Sequence, residues 1–87
     1  MAITTGQLTI SSSTPVQLDT SCVSNFKMIL HNMSATDNLF LGNKTVTPST
    51  GLELHSHSYI TIDCQPNDEV YICSSIGSHD ISWMKIQ

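Results

Sequence analysis

The chain has 87 residues, 39% of them hydrophobic and 11% charged, with three lysines, seven acids and a formal net charge of -4. Lacking arginine and any basic stripe, it has no electrostatic footprint for nucleic acid, and no apolar run approaches the roughly 20 residues of a membrane-spanning helix. A chain this short buries about 60–65% of its extended surface, so its core is modest and association with other subunits is a natural supplement.

Residues 1–13 read as a polar arm, with Gln7-Leu8-Thr9-Ile10 as its alternating strand candidate. Pro15 marks an edge position before a short strand at Val16-Gln17-Leu18. After a loop over residues 19–25, Phe26-Lys27-Met28-Ile29-Leu30-His31-Asn32 is the strand around which the sheet is organised. Phe26, Met28 and Leu30 share one face and Ile29 the other, which predicts a mid-sheet position. The polar segment Met33 to Asn38 then leads into Leu39-Phe40-Leu41, and the pair reads as a β-hairpin.

Further on, Leu52-Glu53-Leu54 alternates, and Tyr59 to Cys64 is a strand with Ile60, Ile62 and Cys64 on one face. Pro66-Asn67-Asp68 is a turn signature that returns the chain into Glu69-Val70-Tyr71-Ile72-Cys73. Gly77 to Asp80 forms the last turn before the closing strand, Ile81 to Ile86. Seven or eight short, mostly antiparallel strands at this spacing predict an all-β fold, a single-domain β-sandwich or barrel over residues 1–87. No stretch carries the periodicity of an amphipathic helix.

From Phe26 onward the layout resembles small β-sandwich structural proteins of tailed bacteriophages. The motifs that carry the resemblance are Leu30-His31-Asn32, Leu39-Phe40-Leu41-Gly42, Val46-Thr47-Pro48, Gly51-Leu52-Glu53-Leu54, Tyr59-Ile60-Thr61-Ile62 and Pro66-Asn67-Asp68-Glu69-Val70-Tyr71-Ile72, with Ile81-Ser82-Trp83-Met84 closing. The resemblance as a layout covers about three quarters of the chain. Its motifs are strand-and-turn grammar and include no catalytic signature. The resemblance implies a virion structural protein, foremost a capsid decoration (cement) protein bound to the major capsid protein or another virion protein. The alternative is a tail or head-fibre component, including a receptor- or carbohydrate-binding tip. The start Met1-Ala2-Ile3 has neither the basic residues nor the apolar centre of a signal peptide, so synthesis in the host cytoplasm is expected.

The side chains that could carry chemistry have plainer readings. His55-Ser56-His57 is the one spacing suited to a metal, since i, i+2 imidazoles on an extended chain project to one side. A solvated loop is the expected role of His55 and His57, with no cofactor. Pairing Cys64 or Cys73 with His31 or His79 would need a geometry that sequence does not supply, and we expect no enzyme. Asp63, Asp68, Glu69 and Asp80 lack a calcium-loop pattern and are expected to cap turns. Three cysteines (Cys22, Cys64 and Cys73) are an odd count without a secretory signal, which predicts free thiols. A hairpin at Pro66 would set Cys64 opposite Glu69 and Cys73 opposite Ile60, too far apart for a bridge. The closing strand is apolar on both faces, so one face needs a cover. The expected interface residues are Ile3, Leu8, Tyr71, Ile81, Trp83, Met84 and Ile86, with a homotrimer as the assembly.

Overall fold

The computed structural model describes residues 3–11, 14–18, 20 and 24–87. Eight strands follow in order: β1 (Ile3–Ser11), β2 (Val16–Gln17), β3 (Phe26–Asn32), β4 (Leu39–Gly42), β5 (Leu52–Leu54), β6 (Tyr59–Cys64), β7 (Tyr71–Ser74) and β8 (Ser78–Ile86). They build two four-stranded sheets, the first ordered β1-β8-β3-β6 and the second β2-β7-β4-β5. All paired neighbours run antiparallel. The chain is therefore all-β, a small sandwich as its strand spacing predicts. Every connection except β4–β5 crosses between the sheets, which is the wiring of an eight-stranded jelly roll. Among the described residues no helix is long and apolar enough to cross a membrane.

β3 takes the mid-sheet position expected of it, between β8 and β6. Its alternation decides its faces: Phe26, Met28 and Leu30 are buried, whereas Lys27 is exposed and Ile29 and His31 are half-buried. Ile10 and Ile81 join them from the same sheet, and Leu39, Leu41, Leu54 and Ile72 meet them from the other. Interdigitation of two inner faces is what holds such a sandwich together.

Two expected hairpins do not form. β3 and β4 lie in different sheets, and residues 33–38 carry the chain across. Asn32, with no solvent exposure, holds that crossing. Its Nδ2 donates to the carbonyls of Asp37 (2.9 Å) and Leu54 (3.0 Å), while its Oδ1 accepts the Ser34 N–H (2.9 Å). Ser34 Oγ in turn accepts the Asp37 N–H at 3.0 Å. Side-chain bonds to nearby backbone thus replace the ladder a hairpin would have made. The Pro66 turn is present, with Asp68 Oδ2 capping the Gln65 N–H at 2.7 Å and Asn67 at φ 73°. It too delivers the chain into the other sheet, so Cys73 faces Phe40 rather than Ile60. Turn residues specify that a chain reverses; they do not specify the sheet into which it reverses.

The N-terminal segment is likewise not a free arm. β1 pairs with β8 along its whole length, from Ile3–Ile86 to Ser11–Ser78; residues 1, 2, 12 and 13 lie outside those described. Ile10 and half-buried Leu8 point inward. Gly6 stands opposite Trp83, and a Cβ there would lie 2.5 Å from Trp83 Cζ2. The missing side chain makes the seat for the indole.

On the outer face of the second sheet, the connection over residues 43–51 folds back as a cover. Val46 sits in a turn closed by its own N–H to the Asn43 carbonyl (2.9 Å). It is buried, and its carbonyl lies 3.8 Å from the thiol of buried Cys73.

Candidate interaction surface

Register fixes what the outer face of the first sheet presents. Three rows cross the four strands in the order β1, β8, β3, β6: Ile3–Ile86–Lys27–Asp63, Thr5–Met84–Ile29–Thr61 and Gln7–Ser82–His31–Tyr59. Lys27 and Asp63 carry the charge of these rows and face each other at 3.5 Å, both exposed, a pair worth little to stability. The remaining positions are hydroxyl, amide, imidazole or apolar. Tyr59 is 73% exposed, Ile3 60% and Met84 36%. Between Thr5, Gln7, Ile29, His31, Ser82 and Met84 lies an open depression of about 340 Å³. A shallow trough of this kind can receive a protein surface or a flat polar ligand.

The seven expected interface residues divide by strand parity. Ile3, Met84 and Ile86 are on this outer face. Ile81 is wholly buried in the core, and Leu8 and Trp83 pack against it from inside. These three hold the sandwich together and cannot meet a partner without its opening, because their strands turn them inward. Tyr71 is half-buried and belongs to the second sheet, opposite Gly42. Tyr59 was absent from the expected set, although the inward run Ile60, Ile62, Cys64 already implied that it points outward.

The histidine pair loses the geometry that suggested a metal. Residues 55–58 form a turn, with the Ser58 N–H on the His55 carbonyl (3.1 Å) and His57 at φ 60°, so the chain is not extended there. His55 Nε2 lies 3.2 Å from Glu53 Oε1. Among the described residues no group of three His, Cys, Asp or Glu converges as a metal site. His79 Nε2 donates to the Ile76 carbonyl at 2.6 Å and lies 3.2 Å from Asp37, pinning the start of β8 to the β3–β4 crossing. The imagined Cys–His pairs are not assembled around β6. Cys64 is on the inner face at its C-terminal end, whereas His31 is on the outer face opposite Tyr59 at the other end. Asp68 and Asp80 serve as caps and ties, Asp80 accepting from Thr9 Oγ1 at 2.8 Å.

Cys64 and Cys73 are free and buried; Cys22 lies outside the described residues. Burial pushes both thiols up from the ordinary thiol range, and the Asp68 and Asp63 carboxylates add to the rise at Cys64. A folded-state value above the unfolded one contributes stability below the unfolded pKa that is lost as pH rises through the folded value. Denaturation midpoints are therefore expected to fall as pH rises above the ordinary thiol range. Iodoacetamide should label both thiols slowly until the protein unfolds, whereas equal native and denatured labelling rates would contradict the burial.

No protein-family model and no curated protein matches the chain. Among solved structures it is similar to a protein of Bacillus endospore appendages, described as a novel family of disulfide-linked pili. The TM-score is 0.55 at 12% sequence identity, over 98% of this chain and 88% of that one. At that identity the likeness concerns the sandwich fold alone.

Proposed function

We propose that the chain is a non-catalytic structural protein of a bacteriophage particle, acting as a capsid decoration protein that assembles as a homotrimer on the major capsid protein. The observation that carries this reading is the outer face of the first sheet. The charged side chains on that broad face are already engaged, Lys27 with Asp63 and Asp80 with Thr9, and Ile3, Met84, Ile29 and Tyr59 lie there among hydroxyls. Such a face docks by area and shape rather than by ion pairing, so binding should persist at high salt. The phage-like order of motifs from Phe26 onward supports the same reading. Cys64 and Cys73 are buried and so are not placed for a covalent linkage of the sort named for the Bacillus pili.

The mechanism is mass action. A ligand that binds the intact shell and not its separated subunits stabilises it by about 2.7 kcal/mol per site at a hundredfold excess over Kd. Repetition over a symmetric shell multiplies the effect through avidity. Particles lacking the protein are expected to rupture at lower temperature, and adding back the full chain should restore them even in high salt. Equal heat resistance with and without the protein removes the decoration role. The second reading, a tail or fibre tip that binds a receptor glycan, draws on exposed Tyr59 beside His31, an aromatic face available for stacking on a sugar. Copy number separates the two: hundreds per particle for decoration, tens or fewer for a tip.

A further inference from the structure

From the edges of the first sheet we infer that copies of this chain join head to tail by strand pairing, the edge of β6 in one copy, which no strand among the described residues covers, adding to the likewise uncovered edge of β1 in the next. The inference rests on the proposed self-association and not on the capsid role.

The two sheets end differently. The second is bounded by β2, two residues long and preceded by Pro15, and by β5, three residues long. Those edges offer almost no ladder. The first is bounded by β1, nine residues, and β6, six residues. Neither contains proline, lysine or arginine. β1 is uncharged throughout, and the one charge on β6, Asp63, faces Lys27. Long edges of stable monomers are blunted by charge, proline, bulges or brevity, and these two edges have none of those features beyond Asp63.

Direction and burial select the pairing. In a sheet of four antiparallel strands the two edges run in opposite senses, so β6 meets the next β1 antiparallel with every copy in the same orientation. Copies related by a threefold axis must meet through two different patches, which these edges supply. A β1-to-β1 pairing would instead close a dimer and leave β6 open. Ile60 and Ile62 on β6 and Leu8 on β1 point toward the core yet are only half-buried, because they stand at the sheet margin. A strand added from the next copy covers them. With inward rows kept continuous, Thr61 falls opposite Thr5, Gln7 or Thr9 of the neighbour, and six paired residues make about six backbone hydrogen bonds.

Sedimentation of the full chain, followed by a charge swap, tests this. Thr5, Gln7 and Thr61 are all exposed on the monomer, so substitution there spares the fold, which thermal melting checks. The wild type is expected to associate reversibly at micromolar concentration. T5K/Q7K combined with T61K should weaken association at least about tenfold, through like charges set opposite each other. T5K/Q7K combined with T61E should restore it. Association lost in both combinations points to β1 pairing with itself and overturns the inference, as does a wild type that stays monomeric. Amide exchange in wild-type β1 and β6 that slows with protein concentration provides a second readout independent of the variants; unchanged exchange counts against the pairing. A monomeric chain that still restores heat resistance to particles would sink the strand pairing alone. An associating chain that never binds particles would sink the capsid role alone.

Discussion

Asn32→Leu is expected to lower the folding stability by about 3–5 kcal/mol, more than any surface change and a large share of what a domain of this size possesses. Leucine matches asparagine closely in shape, so the cost is not a cavity. It is the loss of two donors and one acceptor at a position with no solvent exposure. The Leu54 carbonyl, the Asp37 carbonyl and the Ser34 N–H each lose a partner at 2.9–3.0 Å. An orphaned buried polar group costs about 1–3 kcal/mol. Among the described residues every buried side-chain nitrogen and oxygen has a partner. Urea denaturation monitored by Trp83 fluorescence measures the effect. A loss under about 1 kcal/mol would mean that the β3–β4 crossing is held by packing alone.

Ile81→Ala should cost about 3–4 kcal/mol, while Met84→Ala, three residues along the same strand, should cost under about 1 kcal/mol. Ile81 is wholly buried between β1 and β3, where its removal leaves a cavity walled by Leu8 and Asn32 on the neighbouring strands. Met84 is 36% exposed on the outer face, and water replaces what it loses. Binding to particles should divide the other way. Met84→Ala should weaken docking without shifting the denaturation midpoint, whereas Ile81→Ala should act through unfolding. Similar stability losses at both sites would place Met84 in a buried setting that the outer face does not provide.

Much of this protein is determined locally and is legible in its residues. The alternation of Phe26, Met28 and Leu30 against Lys27 and Ile29 needs only the two-residue period of a strand, and β3 lies mid-sheet as that pattern requires. The opposite outlooks of Trp83 and Met84 follow from the same period, as does the inward set on β6. The turn at Pro66–Asp68 is set by side chains bonding their own backbone. Partner choice was decided by tertiary structure. Asn32 reads as a strand end and Ser34 as turn punctuation, but whether the reversal after β3 stays in one sheet or passes to the other depends on Leu54, distant in sequence, accepting the Asn32 amide. Leu8 and Ile10 in a Thr/Ser-rich segment carried too little apolar weight to announce a nine-residue strand, which β8 stabilises through its whole ladder and through Trp83 seated over Gly6. Strand pairing joins residues far apart in sequence, and its free energy comes from burial that exists only once both sheets are formed. Side-chain direction is therefore local, whereas sheet membership, and with it the two open edges, is a property of the assembled sandwich.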